Sequence, residues 1–358
     1  MKKIYSLLLA TFIALSLFAQ RGKIVIPDLN GFVTLKCDFH MHTIFSDGTV
    51  WPTVRVDEAF NEGLDVISIT DHVEPRFRRP HIVATHNTAY EHAKPRADAR
   101  GIILIKGGEL TRDMPPGHFN AIFMTDVDEL DQSDYTTALR AARAQNAFIF
   151  WNHPGWRSQQ PDTTLWWDSH TKLFEQDLMQ GIEIANGADY YPEAHLWALE
   201  KNLTMLGVSD VHTTMPCLAP GEHRTMTFVF AREATAEGVR EALDARRTAV
   251  FHNNRVIGEE KYLKELFENA LEWSMERTGN TVQFKIKNKS DLMFQLRKTN
   301  HDPNLDYLEE LVIAPQGEHS FTVRLQNRAR GGDVNFIVEN FLTQPNQGMR
   351  YTVKIPAN

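Results

Sequence analysis

The alternation of short apolar runs with helical stretches between Phe32 and Phe251 restricts the fold of this chain more than any other feature. Strands that are separated by helices pair in parallel, so the pattern predicts a sheet built from βα units. The seven predicted strands are Phe32–Phe39, Leu64–Thr70, Ile102–Gly107, Asn120–Met124, Ala147–Trp151, Gly181–Ile184 and Met205–Ser209. The predicted helices are Val54–Asn61, Asp134–Gln145, Glu193–Asn202 and Ala236–Arg246. Seven strands indicate a slightly irregular barrel rather than a full eightfold one.

The pattern of apolar and polar residues changes after His252. The stretch Glu259–Glu276 has apolar residues on one stripe and predicts a helix that closes the barrel or links two domains. From Thr281 onward, apolar and polar residues alternate in short runs between turn residues, which is typical of a small antiparallel β-domain. We therefore predict an α/β domain at residues 20–275 and a small all-β, sandwich-like domain at residues 276–358.

Residues 1–19 have the features of a secretory signal peptide. Lys2 and Lys3 form a short positive region, and the apolar stretch Leu7–Phe18 is long enough for a signal core but short for a membrane span. Cleavage is expected after Ala19, and an uncleaved membrane anchor is the alternative. The sequence thus predicts an exported protein, periplasmic or secreted, with no stable membrane insertion after cleavage.

The composition is that of an ordinary globular protein, with 42% hydrophobic and 23% charged residues. The formal net charge of −8 argues against a nucleic-acid polymer as partner, because such binding needs a basic face. It does not exclude a small anionic substrate, since a metal cluster reverses the local field inside an acidic protein. Cys37 and Cys217 are the only cysteines, and a disulfide between them is possible but not favoured.

Candidate metal ligands come directly after the predicted strands. The carboxyl ends of the strands form the active site of a parallel α/β barrel. His40 and His42 lie on the same face of an extended segment, where two imidazoles can share a metal ion. Nine candidate ligands come from six points of the sequence: His40 with His42 and Asp47, His72, Glu109, His118, His153, and Asp210 with His212. One His-x-His motif is weak evidence, but six such points in one domain argue against coincidence.

These motifs, read in order, resemble those of the PHP (polymerase and histidinol phosphatase) family. They are His40-x-His42-Thr-x-x-Ser-Asp47-Gly, Thr-Asp71-His72, Gly-Glu109, Asn-His153-Pro and Ser-Asp210-x-His212, within residues 33–250. The resemblance implies a distorted (β/α)7 barrel that holds two or three divalent metal ions and hydrolyses phosphoesters. The sequence departs from members that have a histidine where Gly48 stands, which bears on the third metal.

The resemblance also implies how the ligands divide among the metals. It assigns His40, His42, Glu109 and Asp210 to one metal, Glu109 as a bridge with His118 and His153 to the second, and Asp47, His72 and His212 to the third. Nitrogen and oxygen ligands without thiolate suit Mn, Fe or Zn. Metal ions lower the pKa of bound water toward about 7, so the expected nucleophile is a metal-activated hydroxide in a di- or trinuclear site.

The sequence leaves the roles of several residues near the motifs open. His118 is a metal ligand, the acid that protonates the leaving alkoxide, or a group that supports the ligands from behind. Asp71 is expected to orient a histidine or to stand behind the ligands in the same way. Arg76, Arg224 and His223 are candidates for binding the substrate, because arginine forks suit phosphate. The alternative for the segment around Arg76 is a solvated charged loop.

The leading interpretation is an enzyme that acts on a small-molecule phosphoester, with oligomeric state unknown. Few arginines lie near the motifs, and aromatic residues follow them at Trp151-Asn-His-Pro-Gly-Trp156 and Tyr190-Tyr191, so we expect phosphodiesters to be preferred over monoesters. One alternative is an amidohydrolase-type metal hydrolase. Another is a non-catalytic exported protein that binds a metal or a glycan.

Overall fold

The protein is represented by a computed structural model, which describes residues 21–74, 81–216, 222–299 and 302–357. The first domain contains the strands β1 Val33–Asp38, β2 Val66–Ile69, β3 Ile103–Leu110, β4 Phe119–Ile122, β5 Phe148–Trp151, β6 Gly181–Asn186, β7 Asp189–Tyr190, β8 Thr204–Val208, β9 Met226–Ala231, β10 Thr248–His252 and β11 Arg255–Gly258. Its helices are α1 Pro52–Glu62, α2 Thr88–Arg100, α3 Tyr135–Ala144, α4 Asp168–Glu175, α5 Pro192–Lys201 and α6 Ala236–Asp244, with a short 3₁₀ helix at Val127–Leu130. All seven predicted strands are present.

The strands of this domain form one mixed sheet. Strands β1, β2 and β3 pair in parallel, as do β5, β6 and β8. Strand β4 is antiparallel to both β3 and β5, so the expectation of parallel pairing throughout is wrong there. The connection at residues 111–118 explains the difference, because it is too short for the crossover that a parallel pair requires.

The predicted closed barrel is not confirmed. Strand β9 pairs antiparallel with β1 from Val33 to Cys37 and is followed by the antiparallel strands β10 and β11. Because β9 occupies that edge of β1, the chain after β8 meets the chain after β1 through an isolated bridge between Met41 and Val211. Within the described ranges the ladders therefore establish a mixed α/β domain and no continuous closure.

The helices agree with the sequence only in part. Helix α1 begins at Pro52, which suits a first helical turn, and ends at Gly63 in the left-handed conformation. Helix α2 was not predicted, because it contains Pro95 and buries only a stripe of alanines. The predicted helix Glu259–Glu276 is shorter than expected: α7 spans Glu260–Ala270, and the chain continues as a strand from Leu271.

The second domain is a β-sandwich, as predicted. Its strands are β12 Leu271–Thr278, β13 Thr281–Asn288, β14 Phe294–Lys298, β15 Leu305–Asp306, β16 Glu310–Ile313, β17 Glu318–Leu325, β18 Gly332–Gln344 and β19 Gln347–Ile355. One sheet has the order β12-β13-β17-β15, and the other contains β16, β14, β18 and β19. Phe284, Phe321 and Phe336 are buried between them. The first ladder begins at Leu271, before the predicted boundary at residue 276.

The two domains share a sheet. Strand β18 pairs in parallel with β11, with Phe341 opposite Val256 and Leu342 opposite Ile257. Helix α7 covers the junction, where the ring of Phe267 lies 5.2 Å from that of Phe294 between centroids. The sandwich is therefore built onto the edge of the first domain.

The signal peptide predicted at residues 1–19 lies outside the described residues, as does Cys217. Cys37 is a buried free thiol. Among the described helices, none is long and apolar enough to cross a membrane.

Candidate metal centre

The nine predicted ligands converge where the strands end. His40 and His42 follow β1, His72 follows β2, and Glu109 lies near the end of β3. Three overlapping groups have ligand atoms close enough to hold an ion: His42 with Asp47, His72 and His212; His40 with His42 and Glu109; and His72 with Glu109 and His118. All seven histidines and carboxylates in these groups are supplied by four strand ends and the loops after them, so the sheet itself assembles the cluster.

The group that contains His40, His42 and Glu109 has the spacing of a metal site. The Nε2 atoms of His40 and His42 are 3.0 Å apart, and Asp210 Oδ1 lies 3.2 and 3.0 Å from them. Glu109 Oε2 lies 3.3 and 3.4 Å from the same two nitrogens. Tetrahedral ligands about 2.05 Å from one ion are about 3.3 Å apart. Two imidazole nitrogens that face each other this closely need a cation or a shared proton between them, so the donor set fits a metal ion.

Glu109 is the shared carboxylate of the cluster and is fully buried. Its Oε2 lies 3.0 Å from Nδ1 of His72, while its Oε1 lies 2.9 Å from Nδ1 of His118 and 3.7 Å from Nε2 of His153. Asn152 donates to Oε1 at 2.9 Å. Both oxygens therefore face histidines of different groups, the geometry expected of a bridge. The contact of His118 favours its role as a ligand over that of an acid.

Asp47 lies at the centre of the group that also contains His42, His72 and His212. Its Oδ2 lies 3.2 Å from Nε2 of His212 and 3.4 Å from Nε2 of His72. The next residue is Gly48, where an added Cβ would come within 2.6 Å of the backbone of His42. Glycine is thus required for the loop to fold back on the ligand segment, which accounts for the departure from members with a histidine there.

The electrostatics are those of acids and imidazoles that are buried close together. Burial lowers the pKa of His40, but the charges of Asp210, Glu109 and Glu183 outweigh it and raise that pKa well above its usual value. For His72, burial is likewise outweighed, by Glu109 and Asp47, and the pKa is raised to about 10. The pKa of Glu109 is well below its usual value because the nearby His72 and His40 outweigh its burial. The carboxylates therefore favour positive charge at these nitrogens, whether protons or metal ions.

Two of the predicted ligands occupy unusual backbone conformations. His153 has φ of 28° and Asp210 has φ of 51°, both in the region that favours glycine. Backbone strain of this kind concentrates at functional sites. In addition, Nδ1 of His153 is buried and has no hydrogen-bond partner among the described residues, which is a further sign that the site is built for a ligand.

The structure adds Glu183, which the sequence analysis missed. This fully buried carboxylate on β6 lies 2.7 Å from Nδ1 of His40 and accepts the backbone N–H of His153 at 2.6 Å. Asn186 donates to it at 2.8 Å and to Asp210 at 3.2 Å. A charged residue inside the apolar strand Gly-Ile-Glu-Ile-Ala was the available signal.

Asp71 supports the ligand loop rather than a histidine. It accepts hydrogen bonds from Thr43 N at 2.6 Å, Thr43 Oγ1 at 2.5 Å and Ser46 Oγ at 2.6 Å. The Ser46 hydroxyl also lies 3.4 Å from Nδ1 of His42. Asp71 therefore lies behind the candidate ligands: it anchors the segment that carries His42 and Asp47, and its link to the His42 ring runs through Ser46.

The structure describes two of the three predicted substrate-binding residues, Arg224 and His223. Arg224 is buried, and its guanidinium pairs with Glu62 at 2.6 and 2.7 Å and with Asp38 at 2.9 Å, so it is committed to an internal ion pair instead of substrate. His223 is half-buried with its ring 5.9 Å from that of Phe251, and burial lowers its pKa. Arg76 lies outside the described residues.

Two tryptophans of the Trp151–Trp156 segment have opposite surroundings. Trp151 is fully buried and stacks on His170 at 3.7 Å between ring centroids. Trp156 is 40% exposed, and its ring lies 5.2 Å from that of His153 and 5.7 Å from that of His118. Trp156 therefore forms an accessible apolar edge of the metal centre.

Comparison with solved structures identifies proteins that are similar to this chain. A two-domain protein from Bacteroides vulgatus that contains a predicted PHP-like metal-dependent phosphoesterase is 50% identical, with a TM-score of 0.92; the match covers 94% of this chain and 99% of that one. A candidate metal-dependent phosphoesterase from Bifidobacterium adolescentis is 18% identical over 59% of this chain and 96% of its own, with a TM-score of 0.41, which is too weak to support an argument.

The second domain has a match of its own. Residues 271–354 match a family model described as an Ig-like domain. No curated protein matches the chain. The identity and coverage of the first comparison confirm the resemblance read from the motifs: the chain belongs to the family of two-domain proteins with a PHP-like metal-dependent phosphoesterase domain and a C-terminal Ig-like domain.

Proposed function

We propose that this protein hydrolyses phosphoesters with two or three divalent metal ions and that it prefers phosphodiesters. The observation that carries the proposal is the packing of His40, His42, Asp210 and Glu109 around one point with separations of 3.0–3.4 Å. The shared carboxylate of Glu109 and the separate group around Asp47 extend the site beyond one ion.

Divalent metals held by these residues would activate water and neutralise the oxygens of a phosphoryl group. The other residues of the site would hold the metal ligands in position. Glu183 orients His40, Asp71 anchors the loop of His42 and Asp47, and the turn at His153 keeps the histidine at the edge of the site. Burial of Glu109 and His40 excludes water from the interior side and strengthens every charge interaction there.

The preference for diesters rests on charge and on Trp156. Within the described ranges, the ion pairs of Glu109 and Asp210 are all with histidines, and Arg55 and Arg224 are engaged in internal hydrogen bonds. A monoester dianion is best matched by several cationic side chains, whereas a diester carries one negative charge and a second substituent that needs contact. The exposed indole of Trp156 offers that contact beside the ligands.

The test compares bis(p-nitrophenyl) phosphate with p-nitrophenyl phosphate, using protein loaded with Mn, Fe or Zn in parallel. We expect metal-dependent hydrolysis of both compounds with the larger kcat/KM for the diester. A clear preference for the monoester would overturn the diester assignment alone. If neither compound were hydrolysed with any of the three metals, the enzyme assignment would be contradicted.

We also propose that the protein acts outside the cytoplasm. The support is the charged and apolar pattern of residues 1–19. Amino-terminal sequencing of protein from a periplasmic or medium fraction should begin at Gln20. A chain that retains Met1 in the cytoplasmic fraction would contradict the proposal.

A further inference from the structure

Two of the segments that carry candidate ligands meet through a short backbone contact. One follows β1 and carries His40 and His42, and the other follows β8 and carries Asp210 and His212. We call residues 40–42 the β1 segment and residues 210–213 the β8 segment. The N–H of Asp210 donates to the carbonyl of His40 at 2.9 Å, and the N–H of His42 donates to the carbonyl of Val211 at 3.0 Å. The spacing of the ligands therefore depends on how firmly this contact is held.

The side chain of Arg55, on helix α1, bonds to both segments. It is fully buried, with 1% of its surface exposed. Its Nε donates to the carbonyl of His42 at 2.9 Å, its Nη2 to the carbonyl of Val211 at 3.0 Å, and its Nη1 to the carbonyl of Thr213 at 2.7 Å. One guanidinium thus joins the main chain of the β1 segment to that of the β8 segment.

The carboxylate of Glu58 lies about one turn further along α1 and pairs with this guanidinium. Its Oε2 accepts Nη1 of Arg55 at 2.8 Å, and its Oε1 accepts the N–H of Met215 at 2.8 Å. Burying a charge costs free energy unless the charge is paired and hydrogen-bonded in this way. Glu58 therefore balances the charge of Arg55 and extends the connection to the chain beyond the β8 segment.

The bonds of Arg55 end on the residues that carry the ligands. The N–H and the carbonyl of His42 are both engaged, one by the β8 segment and the other by Arg55. The other two carbonyls belong to the residues on either side of His212. Asp210, which begins the β8 segment, has φ of 51°, a strained conformation that persists only when its surroundings hold it.

The distances in the site leave little room for movement of either segment. Oδ1 of Asp210 lies 3.0 Å from Nε2 of His42, and the two atoms belong to different segments. Groups that act together in a site must be held within about 0.5 Å of their working geometry. A small shift of the β8 segment would therefore separate the two side chains.

We propose that Arg55 is a positioning residue of the metal centre, which holds the β1 and β8 segments in the register that lets His42 and Asp210 share an ion. The inference rests on the proposed function. Arginine suits this role because its planar fork presents five N–H groups in fixed directions, whereas lysine presents its donors from a single point. Replacing Arg55 by lysine keeps the charge beside Glu58 but should leave at least one of the three carbonyls without its donor.

The test measures metal binding by the full chain and its Arg55→Lys variant after metal has been removed by chelation. The matched control is Arg247→Lys. Arg247 is also buried, donates from Nε to the carbonyl of Phe230 at 2.9 Å and pairs with Glu241 at 3.0 Å. Competition with a fluorescent chelator gives the affinity for Zn, and the visible absorption of added Co(II) reports the coordination geometry. Urea unfolding of the metal-free proteins gives their stability.

We expect Arg55→Lys to weaken Zn binding about 10- to 100-fold, the usual effect of losing a group that supports metal ligands, and to change the Co(II) spectrum. Arg247→Lys should bind Zn as the unmodified protein does, even where both variants are destabilised to the same degree. Unchanged Zn affinity in Arg55→Lys, or an equal loss in both variants, would overturn the inference and leave the proposed function intact. Failure of the unmodified protein to bind either metal would instead contradict the proposed function.

If Arg55→Lys does not fold, Glu58→Gln takes its place, with Glu241→Gln at the partner of Arg247 as its control. Glutamine has one acceptor oxygen in place of two, so either Arg55 or the N–H of Met215 loses its partner. The Zn affinity of Glu58→Gln should fall about three- to tenfold, as the loss of one hydrogen bond allows, and that of Glu241→Gln should not change. Equal affinities in the two variants would overturn the inference.

Discussion

The carboxylate of Glu183 lies 2.7 Å from Nδ1 of His40, and both side chains are completely buried. A hydrogen bond at Nδ1 orients the ring so that Nε2, which faces His42 and Asp210, is the nitrogen available to a metal ion. The pair is therefore a carboxylate–histidine support for the first metal position.

Replacing Glu183 by glutamine should weaken metal binding about 10- to 100-fold, the usual effect of losing such a support. The amide keeps the shape but loses the charge that favours a cation beyond the imidazole. Competition with a fluorescent chelator measures the affinity for Zn directly. Glu175→Gln, an exposed acid on α4, is the control and should bind as the unmodified protein does. Unchanged affinity in Glu183→Gln would refute the support role.

The purified protein should carry two to three equivalents of transition metal per chain. Three overlapping groups of ligand atoms exceed what one ion can use. Elemental analysis by mass spectrometry gives the stoichiometry, and full activity with a single equivalent would contradict the cluster. Chelation should also lower the melting temperature, because metals stabilise the folded state to which they bind.

Glu109→Gln should remove at least one metal equivalent and reduce the rate by about a hundredfold or more, because the shared carboxylate faces ligands of several groups and its loss affects ions on both sides. Metal content and kcat are measured on the same preparation. His319→Gln in the second domain is the control, since its Nε2 accepts only the N–H of Ala314 in the structure. A Glu109→Gln protein with full metal content and rate would show that Glu109 is not a bridge.

Trp156→Ala should raise KM for bis(p-nitrophenyl) phosphate about three- to tenfold, the range expected for one aromatic contact. The effect on p-nitrophenyl phosphate should be smaller, because that substrate has no second ring to stack. Trp167 has similar exposure, 38% against 40% for Trp156, so Trp167→Ala is the matched control. Equal effects of Trp156→Ala on both substrates would point to a disturbed metal site instead.

Acid should destabilise the fold through His170. This ring accepts the N–H of Trp167 at Nδ1 and lies 2.7 Å from the carbonyl of Pro116 at Nε2. Burial lowers its pKa to about 4, below the roughly 6.5 of an unfolded histidine. The unfolded chain therefore takes up the proton first, and stability that is present above about pH 6.5 falls as the pH drops toward 4.

The expected loss is about 2 kcal/mol between about pH 7 and pH 5 for this one histidine. Urea unfolding of metal-free protein at the two pH values measures it, and His170→Gln should show a pH dependence smaller by that amount. An identical pH dependence in the variant would contradict the assignment.

The strands and the metal ligands could be predicted because both follow local rules. Apolar runs of strand length mark β1 to β6 and β8, and candidate ligands such as His40 after β1 and Asp210 after β8 stand where parallel strands place functional residues. Helix α2 was not predicted because its buried face consists of Ala89, Ala93 and Ala97, and small alanine side chains mark a buried face less clearly than large apolar ones do.

The partners of charged residues could not be predicted, since they come from distant parts of the chain. Arg224 follows a ligand motif and has the fork suited to phosphate, yet its acceptors Asp38 and Glu62 lie 186 and 162 residues away. Glu183 meets His40 across 143 residues. The pairing of β9 with β1 was not predicted for the same reason, because the choice of neighbour depends on competition between strands that no local pattern records.

The parallel ladder between β11 and β18 has a consequence for how such a protein can be inherited or engineered. A domain attached only by a linker can be exchanged by one recombination event. Here, truncation after Ala270 would remove Leu342 from the packing around Ile257. It would also leave the backbone hydrogen-bonding groups of β11 unpaired at an exposed sheet edge. A shortened gene product would tend to self-associate through that edge. We therefore expect the Ig-like domain and the first domain to be inherited together, with compatible substitutions on both sides of the β11–β18 ladder.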